Sequence, residues 1–229
     1  MALLLARFTA HAKRSCTLTE ALCATSVEAL QVHGAGVSLH TASGDLYSVG
    51  VSGHVMAQIQ ELERTLGEGP CVDAWKLGEP VAEPDLANPK DASRWLAFTT
   101  AALRVGARAS FGYPVGVGDT RLGALNLYST NPRALDVQQH ETALALAELT
   151  VHIVVSEMTA ATPAAFMLEV DQIGPNQLEV HQATGMISVQ LAISTSDALA
   201  RLRAHAFAGE RPLCDVAADV VARRLRFEP

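Results

Sequence analysis

The apolar positions of this chain change their period several times, and each change marks a predicted element. Thr17-x-x-Glu20 ahead of an apolar run predicts a capping box that opens a helix through about Val32. "AGVSLH" (35–40) and "LYSVGVS" (46–52) alternate as short strands around the turn Ser43-Gly44-Asp45. His54 to Leu66 returns to helical spacing, with Val55, Ile59 and Leu62 on one side, until "GEGP" (67–70) breaks it. A short helical piece follows at Cys71–Leu77, then an extended "EPVAEPDL" (79–86) and a helix from about Ala92 to Leu103. "ARASFGYPV" (107–115), the turn "GVGDT" and "RLGALNLYS" (121–129) predict a hairpin, and Ala134 to Met158 a long helix. This order predicts an α+β fold with an antiparallel sheet and flanking helices.

The rest of the chain reads as helix alone. "TAATPAAF" (159–166) is linker-like, with Pro163 interrupting the helical pattern. A helix from about Pro175 to Gln190 has Val180, Ala183, Ile187 and Leu191 on one edge, widened by Met186 and Val189. Ser194-x-x-Asp197 predicts a second capping box, opening a helix through about Ala208 with Leu199, Leu202 and Ala206 inward and Gly209 as its stop. Pro212 begins a third helix whose stripe is Leu213, Val216, Ala217, Val220 and Val221. Three helices with so small a core are marginal alone and gain from a partner.

The long helix adds a choice. Leu144, Ala147, Val151, Val154 and Met158 recur at three and four, as in a two-heptad dimer seam. Leu146, Leu149 and Ile153 form a second apolar edge. Either one edge covers the sheet and the other meets a second subunit, or both belong to a single broad buried face.

Composition narrows the class. Of 229 residues, 49% are apolar, so a packed core is expected. The four cysteines, at 16, 23, 71 and 214, fit neither a disulfide framework nor a zinc site, and predict reduced thiols in a cytoplasmic protein. "MALLLARFTAHAKR" has too short an apolar run for a signal peptide, and no stretch is long enough to span a bilayer. The net charge of −7 lies entirely in residues 1–175, with 11 Lys+Arg against 18 Asp+Glu. Residues 176–229 are neutral, with six arginines and no lysine against six acids. A local basic face is compatible with that; a strongly electrostatic nucleic-acid binder is not.

Few residues suggest catalysis. Cys71 in "EGPCVDA" stands at a predicted helix start, where a dipole lowers a thiol pKa, but a small buried hydrophobe is the commoner outcome. Asp73, Glu83 and Asp85 read as surface charges and turn formers. The eight histidines show no metalloprotease spacing, and there is no nucleophile elbow or phosphate-cradling loop. No enzyme, metal or cofactor is predicted.

Two stretches carry family resemblances. "LGEGPCVDAWKLGEPVAEPDLA" with "RWLAFTTAALRVGARASFGYPVGVGDTRLGALNLYS" is similar to a GAF domain, over roughly residues 15–158. The resemblance implies a small-molecule sensor or dimerisation module, with its ligand, if any, unidentified. "VHQATGMISVQLAIS", "DALARLRAHAF" and "RPLCDVAADVVARRL" resemble an ANTAR domain, over about 170–227, after a linker at 159–169. GAF followed by ANTAR resembles an actinobacterial type of transcription antitermination regulator. That implies a homodimer which holds paired hairpin loops in nascent RNA so that a terminator cannot form.

On that resemblance, Gly185 admits a close approach, with Thr184 and His181 offering hydrogen bonds beside it. Arg201, Arg203 and Arg211 suit phosphate. The sequence departs at Thr184, where many ANTAR domains have lysine. Taken alone, these residues also fit an ordinary solvated face, and Arg223, Arg224 and Arg226 fit a helix C-terminus that favours cations. Two other readings stay open: a DNA-binding helix-turn-helix variant, against which the loop "LAIST" looks long, and a tail that makes only protein contacts.

Overall fold

A computed structural model describes residues 2–15, 17–40, 46–88, 94–160, 175–209 and 211–228. The turn Ser43-Gly44-Asp45, the predicted helix start at Ala92, and most of the linker with Pro163 lie outside the described residues. The chain divides into two compact units, one made of Met1–Arg64 and Glu68–Ala160, the other centred on Ala161–Pro229.

The first unit runs α1 (Ala2–Ala12), α2 (Leu18–Leu30), β1 (Gly34–His40), β2 (Leu46–Val51), α3 (His54–Leu66), α4 (Pro70–Leu77), β3 (Val81–Glu83), α5 (Leu96–Arg104), β4 (Ala109–Val117), β5 (Thr120–Ser129) and α6 (Val137–Ala160). The strands form one antiparallel sheet in the order β2-β1-β5-β4-β3. The β4–β5 hairpin turns at Gly118, whose φ of +56° lies in the left-handed region a tight hairpin turn requires. Pro114 lies beyond the end of β3, so its missing N–H removes no bond to that strand.

Side chains alternate across the sheet, and the two faces differ in kind. Ala35, Val37, Phe111, Tyr113, Val115, Leu125 and Leu127 pack under α2 and α6, with Leu22, Leu30, Ala143 and Leu146. Each fully buried leucine there contributes about 1.5–3 kcal/mol. The intervening residues are small or polar: Gly36 and Ser38 in β1, Ser110 and Gly112 in β4, Asn126 in β5. α3 and α4 cover this second face.

The capping box at Thr17 forms: its hydroxyl accepts from Glu20 N at 3.1 Å, and Glu20 Oε2 accepts from Thr17 N at 3.3 Å. α1 was not predicted. Its Leu4 and Phe8 pack against the core, and Arg7 and His11 hold Glu28 of α2 at 3.2 and 2.9 Å. The stretch is too short and too polar on one side to announce itself by period; its apolar residues find their face only when α2 is in place.

Among the described residues, the second unit has three helices, α7 (Pro175–Leu191), α8 (Thr195–Ala208) and α9 (Leu213–Val221). Val180, Ala183, Ile187, Ala198, Leu202, Ala206, Leu213, Val216, Ala217 and Val220 form its core. Val189, expected to widen the buried edge, is 83% exposed, because it lies across the helix from Ile187. Ser194 caps α8 by accepting from Asp197 N at 3.1 Å, while Asp197 Oδ2 takes the Ser194 hydroxyl at 2.7 Å. Gly209 ends α8 at φ −86°, so this glycine stops the helix without adopting the left-handed conformation.

Candidate functional site

The polar face of the sheet is organised around Asn126. Its neighbours across β1 and β4 are Gly36 and Gly112. A Cβ at Gly36 would sit 2.5 Å from Gln60 Nε2, and one at Gly112 would sit 2.5 Å from Pro70 O. Both glycines are there because helices lie directly on the sheet, α3 on one side of Asn126 and the start of α4 on the other.

In that space a chain of hydrogen bonds closes. Ser48 Oγ donates to Gln60 Oε1 at 2.5 Å, and Gln60 Nε2 donates to Ser38 Oγ at 3.1 Å. Ser38 Oγ donates to Asn126 Oδ1 at 3.4 Å, and Asn126 Nδ2 donates to Glu63 Oε2 at 2.8 Å. Glu63 Oε1 accepts the backbone N–H of Cys71 at 2.9 Å. Ser38, Gln60, Glu63, Asn126 and Cys71 are all buried.

Burial pushes the Glu63 carboxyl up to about 8, against the opposing pull of bonds from Cys71 and with a further push from the Asp73 charge. Burial, and then the Glu63 charge, push the Cys71 thiol well above its ordinary value. Its Sγ lies 3.7 Å from Phe111 O. This is the reverse of the lowered pKa that a reactive cysteine needs, and it fits the small buried hydrophobe expected at this position.

Sequence periodicity missed Gln60 and Glu63. It expected Val55, Ile59 and Leu62 together on one side of α3, but the buried residues are Met56, Ile59, Gln60, Glu63 and Thr65. Counting only apolar positions finds the wrong side when the surface to be covered is polar. The available signal was that Gln60 and Glu63 fall four and seven residues after Met56.

The acids flanking this network have structural duties. Glu68 Oε1 accepts Phe98 N at 2.8 Å and caps α5, whose own N-cap residue, Trp95, supplies no side-chain bond. Asp73 Oδ2 accepts from Trp95 Nε1 at 3.0 Å and Arg94 Nε at 3.1 Å, with Arg94 4.5 Å over the Trp95 ring. Asp85 Oδ1 accepts from Ala87 N at 3.1 Å, the turn-forming role expected of it, and from Arg108 at 2.9 Å. Glu83, expected at the surface, is buried and bonds Asp85 N at 3.3 Å.

The residues expected to read RNA differ in exposure and in the partners they already hold. His181, Thr184 and Gly185 share a side of α7, where His181 and Gly185 are exposed. Nothing lies within 4 Å of the Cβ position of Gly185. Thr184 Oγ1 donates to Val180 O at 2.7 Å. Arg201 is exposed and Arg203 half-buried, because residues two apart on a helix point different ways. Arg211 is held at 2.7 Å by Asp219, which also takes Arg224 at 2.7 Å. The two guanidiniums hold the Asp219 carboxyl below its ordinary value.

The expected dimer seam on α6 is largely internal. Ala147 and Val151 belong to the sheet core together with Leu146 and Ile153, and Val154 is also buried. Leu144 is exposed, and the Met158 side chain lies outside those described. The apolar edges of α6 therefore act mainly as one broad buried face, since α6 must cover both β4 and α2. Among the described residues no helix is long and apolar enough to cross a membrane, and no group of three His, Cys, Asp or Glu could hold a metal.

A five-stranded antiparallel sheet with helices packed on both faces is the architecture of GAF domains, and a family model described as GAF domain matches residues 17–155. The chain belongs to the GAF-domain family. A domain of a two-component sensor histidine kinase protein from Sinorhizobium meliloti 1021 is similar at 16% identity and TM-score 0.50, over 62% of this chain and 91% of that one. The GAF domains of phosphoenolpyruvate-protein phosphotransferases from Acinetobacter and from Coxiella burnetii are each similar at 12% identity and TM-score 0.50. They match 69% of this chain and 96% and 94% of their own. At these identities the likeness is one of fold. No curated protein matches the chain.

Proposed function

We propose that this chain is a cytoplasmic transcription antitermination regulator: the GAF domain takes a signal, and the three-helix unit binds paired hairpin loops of nascent RNA. The reading rests on one observation. The three stretches that resemble an ANTAR domain fall on α7, α8 and α9, which share a single core and leave His181, Gly185 and Arg201 exposed. RNA loops offer unstacked bases and backbone to such a surface. Arg201 is the strongest phosphate contact of the set; Arg211 already pairs with Asp219, and Thr184 bonds its own helix. The regulator acts as a homodimer, since a target of two hairpins needs two readers.

Duplex DNA is the competing target. The connection between α7 and α8 is only the three residues 192–194, a length that suits a helix-turn-helix. The full-length protein should therefore be titrated against a two-hairpin RNA, duplex DNA and unstructured RNA at several salt concentrations. The proposal expects preference for the two-hairpin RNA, and at least tenfold weaker binding by Arg201→Ala with its elution volume unchanged. Equal or tighter binding to duplex DNA refutes it, as does an Arg201→Ala affinity equal to wild type.

A further inference from the structure

The buried network on the polar face of the sheet has a direction. Each member donates toward the next, from Ser48 through Gln60, Ser38 and Asn126 to Glu63. Glu63 ends the chain as an acceptor at both oxygens, one from Asn126 and one from Cys71 N. A carboxylate can do this, since it accepts only; a carboxylic acid must donate one hydrogen bond. The network's strong candidates for the compensating acceptor are its side-chain amides and hydroxyls, and both kinds can reverse: an amide by turning over, a hydroxyl by rotating.

We propose that this network is a proton-binding switch, in which uptake of one proton at Glu63 reverses the donor sense of the whole chain as far as Ser48. On protonation Glu63 Oε2–H donates to Asn126 Oδ1, which turns to face it, and Asn126 Nδ2 donates to Ser38 Oγ. Ser38 Oγ–H then donates to Gln60 Oε1, and Gln60 Nε2 donates to Ser48 Oγ. The Ser48 hydroxyl hydrogen is left to find another acceptor near the sheet edge. One proton enters and none leaves; every other hydrogen stays on its own heavy atom.

The surroundings suit this role. Burial favours the neutral acid, while the bonds from Cys71 favour the anion, so neither form is strongly excluded. Of the ionisable groups on the elements packed against Glu63, α4 supplies Cys71, which is buried and bonded to it, and Asp73, whose charge disfavours the anion. β1 and β5 present the neutral Ser38 and Asn126. The network joins α3, β1, β2 and β5, so the reversal spans these four elements, while the Cys71 N–H bond that ties in the first turn of α4 keeps its sense. This rests on the sensing half of the function proposed above and is independent of what the three-helix unit binds.

The test is a pH titration of the full chain by NMR, following the Glu63 carboxyl carbon and the side-chain NH2 groups of Gln60 and Asn126. The expected result is a Glu63 midpoint near 8, with both amides shifting at the same midpoint. In Glu63→Gln, which cannot ionise, the amide shifts should be flat across that range. A Glu63 midpoint in the ordinary carboxylate range overturns the proposal. So do Gln60 signals that stay still while Glu63 titrates. The wild-type titration decides the matter even if the variant does not fold. RNA affinity measured on the same samples tests the other reading separately.

Discussion

Replacing Glu63 with glutamine should remove most of the pH dependence of GAF-domain stability. The folded carboxyl sits at about 8 against an ordinary 4.5, so between those values the folded state binds more protons than the unfolded one. Stability contributed by the neutral acid is complete below pH 4.5, falls as pH rises, and is lost above about 8. Each pH unit in this window costs about 1.36 kcal/mol. A rise of roughly 3.5 in pKa then amounts to on the order of 5 kcal/mol, a large part of a domain's total stability. Glu28 and Asp85, whose carboxyls are held low chiefly by His11 and by Arg108, act with the opposite sign, below the ordinary carboxylate range and outside this window. Trp75 and Trp95 are the two tryptophans, and both lie in the GAF domain, so fluorescence reports its unfolding and not that of the three helices. Urea titrations at pH 5, 6, 7, 8 and 9 should show wild-type stability falling with pH and the variant nearly level. Wild-type stability that is level or rises from pH 5 to 8 would refute the placement of a neutral acid at Glu63, and so would a variant that keeps the wild-type slope.

Other parts of the structure make simpler claims. Gly112→Ala places a Cβ 2.5 Å from Pro70 O and should destabilise the GAF domain by about 1–3 kcal/mol in the same fluorescence assay. Gly185→Ala meets open space in a helix and should stabilise the second unit by about 0.5–1 kcal/mol, measured by amide hydrogen exchange in α7; reduced RNA affinity in the same variant would place the reader on that side of α7. Leu202→Ala empties a fully buried site in the three-helix core and should cost about 2–5 kcal/mol, read as lost exchange protection in α7–α9. A thiol reagent applied to the native protein should leave Cys71 and Cys23 unlabelled until denaturant is added, as both are buried with raised pKa.

Much of the scaffold is legible in local patterns of residues. Period two against period 3.6, capping residues at Thr17 and Ser194, and the glycine turn after β4 are local signals, and the elements they announce are present. The three apolar stripes of α7–α9 were legible because the core they share is built from apolar side chains. Tertiary structure decided the rest. Whether α6 had one buried face or two depended on what α2 and the sheet presented to it. Arg211, expected as a phosphate contact, pairs with Asp219, eight residues further along the chain. Glu63 and Asn126 are 63 residues apart, and neither looks unusual in its own segment. They become a site because β5 places Asn126 between two glycines and α3 lies on that row, so that the buried Glu63 carboxyl bonds to the sheet. Burial of a polar group is a property of the assembled layers, and no local pattern encodes it.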